Sequence, residues 1–228
     1  MSAIQPPASS TPIELLADYC YGIISRQIRE GILAPGARIN IEKLARELDV
    51  SPTPLRESLP RLEADGFVIK NANRGYSVSP LLNSTGYRNA FHMRLLLEPE
   101  AARLAAEHCT TDGLAALQSA ITVFVEAQRQ VDHNEPVNHS ALTHADAVFH
   151  DTIGANCGNE LLAHTIRRMR AHLHLHSYPF DGPEIALVVT EHTAIARAIS
   201  TGHGAAAYAA MAAHIESARE RMHDFYPA

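Results

Sequence analysis

Apolar positions early in the chain recur at helical spacing, with Leu15, Leu16, Tyr19, Ile23, Ile24 and Ile28 forming one stripe. Thr11-Pro12-Ile13-Glu14 opens that helix as a capping box with Pro at its first position, and Gly31 closes it. Asn40 is suited to cap a second, short helix holding Leu44, Ala45 and Leu48, after which Asp49-Val50 turns the chain. Ser51 caps a third helix, with Pro52 at its first position, that runs toward Asp65 and stops at Gly66. Phe67-Val68-Ile69 and Tyr76-Ser77-Val78 are β-type runs around Asn71-Ala72-Asn73-Arg74-Gly75, a hairpin signal. After Pro80 the pattern is helical only. It predicts helices near 84–108, 112–131, 139–155, 159–177, 184–200 and 204–224, broken by Gly-, Pro- and Asn-bearing segments.

The predicted fold is mainly α, in two domains. A disordered tail (1–11) precedes a winged helix-turn-helix domain (12–79), and an all-helical bundle follows (84–225). Charge supports the division. The chain carries a net charge of −6, yet residues 1–80 hold nine Lys/Arg and nine Asp/Glu, so the acidity lies entirely beyond them. All fourteen histidines lie after residue 91. Such asymmetry assigns different tasks to the two halves. The polar, Pro-rich start has no signal-peptide order, and no apolar run approaches the roughly 18 residues of a membrane span. Cys20, Cys109 and Cys157 are scattered, which fits reduced thiols in a cytoplasmic protein.

The chemistry of residues 51–75 is that of a helix end that enters a DNA groove. Ser51 and Thr53 offer hydroxyls, and Arg56, one turn in, can hold a guanine edge with two hydrogen bonds. Lys43, Arg46 and Arg61 suit phosphate contacts, which position without specifying. The string Val50-Ser51-Pro52-Thr53-Pro54-Leu55-Arg56-Glu57-Ser58-Leu59, with Arg61-Leu62-Glu63-Ala64-Asp65-Gly66 and Arg74-Gly75, closely resembles the winged domain of the GntR family of bacterial transcription regulators. That resemblance implies base or backbone contact by Thr53 and Arg56, and minor-groove contact by Arg74-Gly75. Pro52 and Glu42 stand where many relatives carry Arg, removing positive charge. Pro60 deprives the Arg56 carbonyl of its usual partner, so a kink or tightening is expected there, with base contacts confined to the first two turns.

Six helices after a winged domain resemble the effector-binding FCD domain of the FadR subgroup in its VanR-like form, a likeness strengthened by the run from Arg94 to Ala106. Asp146 and His150 are spaced to share one helical face. Alone, such a pair is an ordinary surface feature; His192 and His214, set among apolar residues on the last two helices, change its meaning. An Asp with three His suits a divalent transition metal such as Zn²⁺, Ni²⁺ or Mn²⁺. The resemblance implies ligands at these four positions, and an arginine near the metal, Arg94, that pairs a carboxylate. His172, His174 and His176 cannot all face one ion from a helix. His174 is assigned to the effector pocket, and Asn159 to the cap of its helix, to the ligand, or to both.

No nucleophile motif or phosphate-cradling loop occurs. The expected function is a dimeric DNA-binding transcription regulator, a repressor, acting on a palindromic operator under control of a small organic acid bound at the metal. The alternative is a metal-dependent hydrolase with an appended winged domain, for which Glu191 is the nearest available base. A third reading is a metal-free regulator with structural histidines.

Overall fold

The computed structural model describes residues 13–171 and 180–222. The chain divides into two compact units, Met1–Leu81 and Leu82–Ala228. The fold is mainly α: a winged helix-turn-helix unit and an all-helical unit. The expected tail, the Thr11 capping box and His172, His174 and His176 lie outside the described residues.

In the first unit, α1 (Ile13–Arg29) packs on α3 (Pro52–Ala64), with α2 (Ile41–Leu48) alongside α3. Helix α1 buries Ala17, Cys20, Ile24 and Ile28, residues three or four apart, whereas Leu15 is exposed. The expected stripe holds at Ile23, Ile24 and Ile28, with Leu16 and Tyr19 half-buried, and fails at Leu15. Asn40 caps α2 by accepting from the Lys43 amide, and Asp49 closes it in the left-handed region. Strands β1 (Val68–Asn71) and β2 (Gly75–Val78) pair antiparallel, Val68 opposite Val78 and Asn71 opposite Gly75. Asn73 and Gly75 both take positive φ, 59° and 78°, which turns the chain sharply around Arg74. Residues 37–39 cover the free edge of β2, where the Val78 amide donates to Ala37 O and the Ile39 amide to Tyr76 O, both at 2.9 Å. That third edge carries no alternation and was not expected.

The expectation for Pro60 needs correction, since α3 continues as α-helix from Pro52 to Ala64. Two local features hold it. Leu59 and Leu62 on either side are buried, fixing the inner face, while Pro60 itself faces solvent. The helix then ends in a well-formed Schellman closure: Phe67 N–H donates to Leu62 O, Gly66 N–H to Glu63 O, and Gly66 takes φ 85°.

The second unit comprises α4 (Ser84–His108), α5 (Thr111–Asp132), α6 (His139–Ala155), α7 (Glu160–Ala171), α8 (Gly182–Ser200) and α9 (Gly204–Arg221). Their starts are written locally. Asn83, Thr110 and Asn138 each accept a backbone amide, and Asp181 with Glu184 completes a capping box. Helix α4 lies along α9 and also meets α6, α7 and α8, while α5 packs on α6 and α8. Phe91, Leu117, Phe149, Ile153, Ile195 and Ile215 centre the main core, and Phe124, Leu142, Ile185 and Val188 a second cluster. Each such side chain contributes about 1.5–3 kcal/mol by leaving water. A Cβ on Gly182 would sit 2.8 Å from Val131 Cγ1, so the start of α8 depends on glycine to approach α5. The three cysteines are free, and burial pushes the Cys20 thiol up to about 11. Among the described residues no helix is long and apolar enough to cross a membrane.

Because α3 runs through Pro60 with one carbonyl unserved, Pro60→Ala restores the missing amide at an exposed position. Thermal unfolding of the variant is expected to show a gain of about 1–3 kcal/mol in the N-terminal unit; an unchanged or lowered midpoint would contradict this account of α3.

Candidate metal centre and nucleic-acid interface

Helix α6 presents Asp146 and His150 one turn apart, α8 presents His192 and α9 presents His214. One ligand atom from each falls within 4.8 Å of all the others. His150 Nε2 lies 3.1 Å from His214 Nε2, and Asp146 Oδ1 lies 3.6 Å from His150 Nε2 and 3.5 Å from His192 Nε2. Donors bound at about 2.1 Å to one ion stand about 3–3.5 Å apart, so these separations suit a shared cation. The three imidazoles are buried, while Asp146 keeps partial exposure.

Each imidazole is held from behind. His214 Nδ1 is hydrogen-bonded to Glu191 Oε2 at 2.7 Å, and Arg221 lies 3.4 Å from the same carboxylate. Burial pushes the Glu191 carboxyl up, but hydrogen bonds from His214 and Ser217 and the charge of Arg221 outweigh it and hold it below the usual range. A carboxylate at Nδ1 favours the proton there and turns Nε2 toward the other donors. His150 Nδ1 lies 2.6 Å from Glu98 Oε2, a close contact without hydrogen-bond alignment, and Glu98 Oε1 accepts from Arg94 Nε at 2.7 Å. His192 is held differently: its ring stacks on Phe149, centroids 3.9 Å apart and planes within 3°, with Phe124 edge-on at 5.6 Å. Nitrogen lone pairs and a carboxylate converging in a buried site repel unless a proton or a cation lies between them. The residues present therefore fit a divalent metal.

Arg94 is buried, with Nε committed to Glu98 and the guanidinium 4.9 Å over Phe91. The structure thus gives it an ionic partner that sequence reading omitted. Asn159 accepts from the Leu162 amide at 3.1 Å and caps α7 at an exposed turn. His174 lies outside the described residues. Glu98, Phe149 and Arg221 were not anticipated, and Glu191 was noted only as a candidate base. Helical spacing carried some signal: Glu98 is four residues from Arg94, and Arg221 is seven from His214 on the same face of α9.

At the other end of the chain, Lys43, Arg46, Ser51, Thr53, Arg56, Arg61, Arg74 and Gly75 are all exposed. The α3 tip is not packed into its unit. Ser51 occupies the N-cap position but makes no capping bond with its side chain, a correction to the expected cap. Pro52 and Pro54 explain this: prolines at the first and third helical positions leave few amides for Ser51 to accept from. Arg56 Nη2 pairs with Glu42 Oε1 at 3.2 Å, and Lys43 with Glu47 at 3.6 Å. Arg61 is bound to Asp18 of α1 and lies 5.1 Å over the Tyr21 ring, so it also braces α3 against α1.

Two family models match the chain. The model for bacterial regulatory proteins of the gntR family covers residues 16–78, and the FCD domain model covers residues 89–217. The Nta operon transcriptional regulator of Aminobacter aminovorans is 35% identical over 58% of this chain and 60% of its own length. The chain thus spans under two thirds of that relative. LutR, an HTH-type transcriptional regulator of Bacillus subtilis, is 27% identical over 87% of this chain and 97% of its own. Among solved structures, Escherichia coli McbR/YncC aligns over 93% of this chain and 99% of its own, with a TM-score of 0.73 and 21% identity, which is a likeness of fold. The match to the FCD model extends over more than half of the sequence, and the gntR model covers the winged unit before it. The chain belongs to the GntR family of bacterial regulatory proteins, as a member that carries an FCD domain.

Proposed function

We propose that this protein is a metabolite-responsive repressor of the FadR subgroup with a VanR-like effector domain. It binds a palindromic operator as a homodimer, one half-site per protomer, through α3 and the wing. Thr53 and Arg56 read bases, Arg74-Gly75 enters the minor groove, and Ser51, Lys43, Arg46 and Arg61 hold the backbone. Asp146, His150, His192 and His214 hold a divalent ion, Zn²⁺, Ni²⁺ or Mn²⁺, which supplies a Lewis-acidic coordination position for a small organic acid. Names of relatives support an operon-level role, since several are regulators of named operons.

The observation that carries this reading is the charge balance of the buried cluster. Glu98, Asp146 and Glu191 bring three negative charges, and Arg94 and Arg221 bring two positive ones. Without a metal the cluster is net negative and repels an acid. With a divalent ion it becomes net positive by one, the balance a monocarboxylate neutralises. Arg94 commits only Nε to Glu98 and retains further donors for such a ligand. Binding of the acid shifts operator affinity by no more than its differential affinity for the two states of the regulator.

The hydrolase alternative is not favoured. Glu191 lies behind His214 on Nδ1, not at the Nε2 side where a metal-bound water would sit, and Arg221 holds it there. The family and the named relatives are regulators rather than enzymes.

Fragments selected from random DNA define the operator, and affinity at fixed salt with and without metal and a panel of organic acids tests the control. Affinity blind to both, with no co-purifying metal, would sink the proposal. Arg56→Ala is expected to cost about 1–3 kcal/mol on the selected operator and to relax preference at one guanine, measured by fluorescence anisotropy. Chelation of the metal is expected to weaken acid binding about tenfold or more in calorimetry, because the sign of the pocket reverses; acid affinity indifferent to chelation would contradict the charge argument.

A further inference from the structure

We infer that Glu191, anchored by Arg221, is a positioning residue for the metal, acting through His214 rather than touching the ion. This rests on the metal reading above and specifies which groups outside the four ligands set its strength.

The geometry is specific. Glu191 and His192 are neighbours on α8, and consecutive helical residues point about 100° apart. One helix therefore sends His192 into the cluster and Glu191 around to its α9 side. There Glu191 Oε2 meets Nδ1 of His214 at 2.7 Å. The last turn of α9 returns Arg221 to the same carboxylate, 3.4 Å from both oxygens, while Arg221 Nη1 is also hydrogen-bonded to Ser217. His214, Ser217 and Arg221 lie three or four residues apart, so one face of α9 carries the ring and the groups that orient the carboxylate. Glu191 and Arg221 are each largely buried, and the chain Arg221–Glu191–His214 ends at the Nε2 that faces His150.

Three effects follow for ligand strength. The proton of His214 is fixed on Nδ1, so Nε2 is free to donate without a tautomeric cost. The ring plane is fixed by the hydrogen bond, so less freedom is lost when the ion binds. The anionic partner also makes Nε2 a better electron-pair donor. Arg221 keeps the carboxylate aimed at the ring. Glu98 and Arg94 repeat the pairing behind His150, but without hydrogen-bond alignment at Nδ1, so the effect is assigned to Glu191 first.

The test uses Zn²⁺ in competition with a chromophoric chelator on the full-length protein, with the thermal midpoint of the metal-free form measured in parallel. Glu191→Ala is expected to weaken Zn²⁺ binding about 10- to 100-fold. Glu191→Gln, which keeps the acceptor oxygen but not the charge, should recover part of that loss, and Arg221→Gln should give a smaller decrease. Nitrogen NMR of the metal-free wild type should find the His214 proton on Nδ1. A lowered midpoint with Zn²⁺ affinity unchanged in Glu191→Ala would reduce Glu191 to a structural role and overturn the inference while leaving the metal reading intact. A wild-type protein that binds no Zn²⁺, Ni²⁺ or Mn²⁺ overturns both. A His214 proton found on Nε2 in the wild type overturns the inference alone.

Discussion

Electron pairs crowded into a dry interior set the terms for the helical unit. Three helices deliver three imidazoles and one carboxylate to a single spot, with two ring nitrogens 3.1 Å apart. Left without a cation, that arrangement costs the unit stability, since buried like-signed groups cannot share their repulsion with water. Carboxylates and arginines surround this cluster. They are paired among themselves, oriented onto the backs of the rings, and leave the inward side to the lone pairs. Packing on α4 and α5, with Phe124 and Phe149 each set against His192, holds these helices together.

The winged unit obeys a different economy. Its net charge is zero by the count of its acids and bases, so it lacks the broad positive field that draws many DNA-binding proteins to any duplex. Glu42 beside Arg56 reduces that field further at the tip. On the proposed DNA-binding reading, a unit of this charge would rely on matched contacts rather than on attraction to phosphate in general.

Much of this was legible before any coordinates. The start of α2 was written in its cap residue Asn40, followed by an apolar period of 3.6, and local chemistry of that kind survives folding unchanged. The four cluster residues were legible because Asp146 and His150 share a face by spacing, with family likeness supplying the other two. What remained hidden was the partner of each side chain. Leu15 was counted as core and lies outside it, because the face of α1 is chosen by α3 and not by its own sequence. Pro60 was expected to bend a helix that neighbouring buried leucines hold in place. Glu98 and Arg221 gave only the faint signal of their helical spacing, since an acid or a base on a helix usually ends in solvent, and tertiary packing buried these. Residues 37–39, with no strand pattern, became an edge because β2 needed one.

Helix tips grip anions through the amide hydrogens of their first turn, and α3 has given up part of that grip. Two of its first three residues are prolines, so the opening turn offers few hydrogens to a phosphate. A phosphate held there gains little from the backbone and must be caught by hydroxyl groups instead. The consequence falls on tolerance to change: in a tip with an ordinary first turn, losing a hydroxyl leaves the amides in place, but here Ser51 and Thr53 have little standing in reserve behind them. On the proposed DNA-binding reading, a change at Ser51 or Thr53 would therefore be less readily compensated than one along the rest of the helix.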